Sequence, residues 1–293
     1  MKIVEKFVKG KFNKEELCED GIFLTENFIA LIDGVTSHND FRYNGKKSGR
    51  LIRDLLIEAI PKLSSKLDCY QAVDFLNEYI RNFYKENNLF ENLLNNPANQ
   101  PAASIIMYSK NANQIWLIGD SMALYGNTIL ENPLEFDEIY TKMRVIIIDF
   151  LLNTGYTEEQ LLENDISKEF IKELQKQQPY IRNKVNNSKF DYVVIDGFNR
   201  PNKNLIKCID VPKDIKEIVF TSDGYRKPFN TLKETEEYLW YIKEVAPLCY
   251  KEFAYEKDFT KIKKAMMIGH ILDLKFNLQL QASIYKAKIL SLI

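Results

Sequence analysis

The stretch Glu16–Ser37 reads ELCEDGIFLTENFIALIDGVTS. Two apolar runs, Gly21–Leu24 and Phe28–Ile32, are separated by Thr25-Glu26-Asn27, which predicts a β-hairpin. The acidic pair Glu19-Asp20 stands at the start of the first strand, and Asp33-Gly34 follows the second. A carboxylate at a strand end is held rigidly and can face a shared cleft. A glycine beside it lets the backbone bend and leaves its carbonyl accessible.

The pattern recurs further along. Ile115–Ile118 runs into Gly119-Asp120-Ser121, and Ile218–Thr221 runs into Ser222-Asp223-Gly224. Around these motifs the chain reads in blocks. Strands are expected at Ile3–Val8, Ala102–Tyr108, Gln114–Ile118, Ala123–Tyr125, Asp191–Ile195, Leu205–Ile209, Glu217–Thr221 and Ser283–Leu290. Helices are expected over Lys47–Ile60, Tyr70–Lys85, Pro133–Leu152, Glu158–Lys176 and from Thr231 to Val245. Thr157 with Gln160, and Thr231 with Glu234, have the spacing of capping boxes. Strands and helices in blocks, not strict alternation, indicate an α+β layered fold: two sheets face to face with helices outside. No Pro/Gly/Ser linker divides the chain, so residues 1–293 are expected to form one domain.

The composition excludes several classes. Lys+Arg total 40 and Asp+Glu 41, for a net charge of -1, so no basic field is offered to nucleic acid or an anionic membrane. Aromatic residues make up 12% of the chain, but without excess positive charge they do not argue for base stacking. Cys18, Cys69, Cys208 and Cys249 are widely spaced, form no CxxC pair and have two histidines for company, which disfavours structural zinc. They are expected to be free thiols in a reducing compartment. The charged N-terminus is not a secretory signal, and the apolar run near Val145–Leu152 is far short of a membrane span. A soluble, cytoplasmic protein is expected. Gly45–Arg50 (GKKSGR) lacks Walker A spacing. It is expected to start a helix near the cleft, whose backbone N–H groups and Arg50 face an anion or simply form an ordinary helix N-terminus.

Clustered carboxylates repel one another, so they call for divalent cations, and oxygen-only ligands favour Mg²⁺ or Mn²⁺. Each acidic motif alone is an ordinary turn sequence. The ordered set ELCEDGIF, ALIDGVTS, WLIGDSMALYGN and VFTSDGY, from about Glu16 to Tyr225, resembles the PPM (protein phosphatase 2C-like) metal-dependent serine/threonine phosphatases, in a divergent bacterial form. The resemblance implies a four-layer αββα sandwich of two mainly antiparallel sheets. It implies that Asp33 bridges two metals, that the Gly34 carbonyl ligates the second and Asp223 the first. Glu19 would hold metal-bound water from the outer coordination sphere, Asp20 is counted among the metal-site residues beside it, and Asp120 would serve an additional metal. The implied substrate is a phosphoprotein or small phosphomonoester.

Three departures bear on activity. The family's late aspartate should precede the final strand, yet Leu278–Ala282 holds no carboxylate; Asp273 is displaced, and Gln279 or Gln281 offers only a neutral oxygen. Val35 occupies the place of a frequent histidine, leaving His38 as the candidate general acid. No arginine precedes Glu19-Asp20; among Lys9, Lys11 and Lys14, Lys11 is the first candidate for phosphate, as a point charge without a bidentate fork. Two readings follow: phosphomonoester hydrolysis by a water activated between two metal ions, with Asp33, Asp223 and His38 catalytic, or a phosphatase-fold binding or regulatory module with impaired turnover. A two-metal nuclease would need a basic groove and differently ordered acidic or histidine-rich motifs, and the chain shows neither.

Overall fold

A computed structural model describes residues 1–8, 18–36, 41–184, 188–198 and 201–255, together with the backbone of 272–275. The chain begins with β1 (Lys2–Lys6), then the expected hairpin of β2 (Asp20–Leu24) and β3 (Phe28–Gly34). Thr25 closes the hairpin. Its hydroxyl accepts from the Phe28 N–H at 2.8 Å and the Asn27 N–H at 3.2 Å, and its own N–H donates to the Phe28 carbonyl at 2.8 Å. A second small hairpin, β4 (Arg42–Tyr43) and β5 (Lys46–Lys47), turns through Asn44 and Gly45, both at positive φ. Helices α1 (Ser48–Ala59), α2 (Cys69–Glu86) and the short α3 (Phe90–Asn95) follow. The chain returns through β6 (Ala103–Ser109), β7 (Gln114–Ile118), β8 (Met122–Tyr125) and β9 (Thr128–Leu130).

Next come α4 (Glu135–Asn153), α5 (Glu158–Glu163) and α6 (Ser167–Gln175), then β10 (Lys207–Asp210), β11 (Glu217–Thr221), α7 (Leu232–Val245) and β12 (Leu272–Lys275). One sheet has the order β10-β7-β6-β3-β2 and the other β1-β12-β11-β8-β9; every pairing is antiparallel.

The layering follows from the period-two burial of β3. Phe28, Ala30 and Ile32 pack with Leu51, Ile52, Leu55 and Leu56 of α1 and Leu76 and Ile80 of α2. Ile29 and Leu31 instead join Ile106 and Leu117 against Ala123, Ile218 and Phe220 of the other sheet. Both faces of β3 are therefore buried, which is why its sequence is a continuous apolar run instead of an alternating one. Leu239 of α7 covers the far side of the second sheet with Leu124, Val219 and Tyr225. The result is the αββα order expected from the sequence.

Both expected capping boxes form, at Thr157/Gln160 and Thr231/Glu234, and a third caps α2 through Asp68 and Gln71. The single helix expected over Glu158–Lys176 is instead two, α5 and α6. The break is set by Asp165, whose carboxylate accepts from the Ser167 N–H at 3.0 Å and from Arg144 Nε and Nη2 at 3.0 and 2.8 Å. Arg144 is fully buried and also donates to the carbonyls of Cys249 and Tyr255. It thereby ties α4, the α5–α6 connection and the segment after α7 together. The strand expected at Asp191–Ile195 reduces to one bridge between Ile195 and Ala103. Asn183 and Asn77 there bond the surrounding backbone in place of a full ladder. The expected strand Ser283–Leu290 lies outside the described residues. Among the described residues, no helix is long and apolar enough to cross a membrane.

Candidate functional site

Asp20 and Asp33 are directly opposite one another in the β2–β3 ladder. Burial holds the Asp33 carboxyl well above the usual carboxylate range, and the charges of Asp20, Asp223 and Asp120 push it further the same way. That electrostatic sensitivity brings together four of the acidic residues singled out in the sequence. Asp20 and Asp33 come from the first sheet, Asp120 from the loop crossing between sheets after β7, and Asp223 from just beyond β11 in the second sheet.

Gly34 is required by close packing. Its N–H donates to the Glu19 carbonyl at 3.2 Å, and a Cβ there would lie 2.3 Å from the Gly49 carbonyl oxygen and 2.5 Å from that of Glu19. Gly49, at the start of α1, meets the same corner from the other side: a Cβ would lie 2.8 Å from the carbonyl oxygens of Gly34 and Val35. The two glycine motifs therefore interlock. Arg50 donates to both Asp54 oxygens, at 3.0 and 3.1 Å, and to the Cys18 carbonyl at 3.3 Å, so it braces the segment leading into Glu19. This favours the ordinary helix start over an anion-facing Arg50. Glu19 is buried, and its Oε2 accepts from the Thr36 hydroxyl at 2.7 Å.

On the other wall, Gly119 has φ +104°, and a Cβ would overlap Ser104 Oγ at 2.1 Å. Ser104 Oγ donates to Asp120 Oδ1 at 2.5 Å and accepts from the Asp120 N–H at 3.3 Å. Ser104 is also the cross-strand partner of Asp33. It therefore connects the Asp33 and Asp120 motifs, a role with no signature in its own neighbourhood, Ala102–Ile106. The Asp223 carbonyl accepts from the Tyr255 hydroxyl at 3.0 Å, and Tyr255 stacks under the Arg226 guanidinium at 4.4 Å. Asp120 and Asp223 both line a cleft of about 380 Å³ whose rim includes Glu131, Glu135, Arg226 and Tyr255. Asn132 on that rim donates to the Gly119 carbonyl at 3.2 Å and steadies the turn.

The donor set suits hard divalent cations: it is all oxygen, and it concentrates negative charge where one carboxyl is already forced toward its neutral form. The hydroxyls of Ser121, Thr221 and Ser222, flanking Asp120 and Asp223, are buried with no hydrogen-bond partner among the described residues. Among the described residues, however, no group of three or more His, Cys, Asp or Glu side chains is drawn tightly enough to enclose an ion. The chemistry fits, then, while the carboxylates stand apart from a closed coordination shell. Lys11, His38 and the segment Leu278–Ala282 lie outside the described residues. Asp273 falls within β12, its backbone in register with Glu5 and Val219.

No protein-family model and no curated protein matches the chain. Among solved structures it is similar to the serine/threonine phosphatase PstP/Ppp of Mycobacterium tuberculosis, at 13% identity and a TM-score of 0.45 over 92% of this chain and 97% of that one. It is similar to the serine/threonine phosphatase Stp1 of Staphylococcus aureus, at 12% identity and a TM-score of 0.44 over 94% and 96% of the two chains. RsbX in complex with magnesium matches at 10% identity and a TM-score of 0.43 over 94% and 99%.

Proposed function

We propose that the chain is a metal-dependent phosphomonoesterase of the PPM type, acting on phosphoserine or phosphothreonine in proteins. The observation that supports this reading best is the gathering of Asp20, Asp33, Asp120 and Asp223 within electrostatic reach of one another at the strand ends of two facing sheets. Asp33, Asp20 and the Gly34 carbonyl would hold divalent cations from the first sheet, Asp223 from the second, and Asp120 an additional one beside the cleft. Bound Mn²⁺ or Mg²⁺ would supply Lewis acidity to a phosphoryl oxygen and lower the pKa of the attacking water.

The chain's own residues do the rest. The Asp33 carboxyl, held above the usual carboxylate range, would give up its proton as positive charge enters. Glu19, fixed by Thr36, presents a buried carboxylate that orients water at the corner. Ser104 holds Asp120 in one orientation. His38 is assigned the leaving-group proton and Lys11 the phosphate charge, both on sequence grounds.

A second reading, a phosphatase-fold binding or regulatory module, is favoured by the open arrangement of the carboxylates and by the lack of an acidic residue in Leu278–Ala282. An assay on p-nitrophenyl phosphate with Mn²⁺ separates the two. Turnover that requires Mn²⁺ and disappears in Asp33→Asn supports the enzyme; no turnover at millimolar Mn²⁺ overturns it and leaves the module.

A further inference from the structure

A second cavity, of about 290 Å³, opens beside the acidic corner. Val35 and Ala102 are on its wall and continue the β3–β6 ladder. Asp33 faces Ser104, Gly34 faces Ala103, and the Val35 N–H then donates to the Ala102 carbonyl at 2.9 Å. Thr36, whose hydroxyl holds Glu19, lines the cavity too. The cavity therefore begins two residues beyond Asp33, yet none of the four aspartates of the corner lines it.

Arg182 does line it, and is only 4% exposed. The hydrogen bonds that hold its guanidinium leave from Nη2, to the Gln100 carbonyl at 3.1 Å and to Gln100 Oε1 at 2.9 Å. Gln100 is itself fixed, because its Nε2 donates to the Leu93 carbonyl at 3.0 Å. The counter-charge is Asp196, whose Oδ2 lies 3.5 Å from Arg182 Nε without a hydrogen bond. The Asp196 oxygens accept instead from the Phe198 N–H and from Asn183 Nδ2, each at 2.8 Å. Arg182 Nε is thus a buried donor with no hydrogen-bond acceptor among the described residues. Such a donor costs free energy that an acceptor on a ligand would recover.

We propose that this cavity is a carboxylate subsite, filled by an aspartate or glutamate close to the target residue of the substrate protein and selected by Arg182. The identity of the substrate rests on the phosphatase reading above. A planar, permanently charged fork is the side chain best matched to a carboxylate or a phosphate. Asp196 decides between them, because a negative charge 3.5 Å from Nε opposes a dianion more than a monoanion. Lys176 also lines the cavity, but its side chain is 40% exposed and paired with Glu173, so it adds attraction without direction.

The test follows the Arg182 Nε–H signal by ¹H–¹⁵N NMR of the whole chain with Mn²⁺. Unphosphorylated serine peptides are titrated in, with one glutamate placed at each of the three positions on either side of the serine, against the same peptides carrying glutamine. At one or more positions the glutamate peptide should shift the Arg182 signal saturably and bind about tenfold more tightly than its glutamine counterpart. In Arg182→Gln the ratio of the two affinities should fall to about one. Arg182→Gln/Asp196→Asn, which strands no buried charge, gives the same comparison if the single variant does not fold.

Four results would overturn the proposal: no binding of any peptide at millimolar concentration, equal affinity for glutamate and glutamine peptides, a preference that survives loss of Arg182, or tighter binding when phosphoserine replaces the glutamate. The peptides are not turned over, so this result stands apart from catalysis. A glutamate preference in a chain inactive on p-nitrophenyl phosphate sinks the phosphatase reading and keeps the subsite. Mn²⁺-dependent turnover without the preference does the reverse.

Discussion

Ser104 Oγ stands between two acidic motifs that are distant in sequence: it is the cross-strand partner of Asp33 and donates to Asp120 Oδ1 at 2.5 Å. Because a Cβ at Gly119 would occupy the same space, the hydroxyl and the bare glycine are matched to each other. Replacing Ser104 with Ala removes two partly buried hydrogen bonds, to the Asp120 carboxylate and from its N–H, at a cost of about 1–2 kcal/mol in urea unfolding. It also frees the Asp120 carboxylate to rotate. The expected functional signature is weaker Mn²⁺ binding to the Asp120 side of the cleft, read by titration of the purified variant against the parent chain.

Gly119→Ala should be far more damaging than Ser104→Ala. It combines a strained φ of +104° with a 2.1 Å overlap, and roughly 2–4 kcal/mol of lost stability is expected. Chemical denaturation of the two variants side by side tests the order. Equal midpoints would contradict the packing described.

Asp33 makes a pH-dependent contribution of known sign. Its carboxyl is raised in the folded state, so its protonated form is favoured by folding. The stability it contributes is complete below the ordinary value of 3.8 and is lost as pH rises through the raised value. In EDTA near neutral pH, Asp33→Asn should therefore unfold at a higher temperature than the parent, by at least about 2–4 °C, the shift that about 1 kcal/mol produces in a domain of a few hundred residues. The advantage should shrink toward acid pH. Melting curves across that range would contradict the account if the difference were constant or reversed.

The buried Arg144–Asp165 pair supports the α4–α6 side of the cleft. Removing either partner alone strands a charge, and Asp165→Ala or Arg144→Ala is expected to cost about 3–5 kcal/mol. Exchanging both for apolar residues of similar volume should recover much of that loss, as a double-mutant cycle in urea would show.

The acidic residues were legible because each motif is local: an apolar run that stops at a carboxylate and a glycine marks a strand end without knowledge of its neighbours. The layering was legible for a related reason, since β3 has no polar face and must be covered on both sides. What the sequence concealed depends on partners distant along the chain. Nothing near Asp165 reveals that Arg144 reaches it, so the break between α5 and α6 reads as continuous helix. Ser104 looks like any residue opening a buried strand until the register places it between Asp33 and Asp120. Arg50 reads as a free cation at a helix start, but Asp54, one turn on, and the Cys18 carbonyl claim it.

The claim that these carboxylates form a cation site is tested most directly by calorimetric titration of Mn²⁺ into the metal-free chain in two buffers of different ionisation enthalpy. The account predicts saturable binding with net proton release, as the Asp33 carboxyl loses its proton, and loss of that proton release in Asp33→Asn. Absence of binding at millimolar Mn²⁺, or binding in Asp33→Asn with unchanged affinity and proton count, would contradict it.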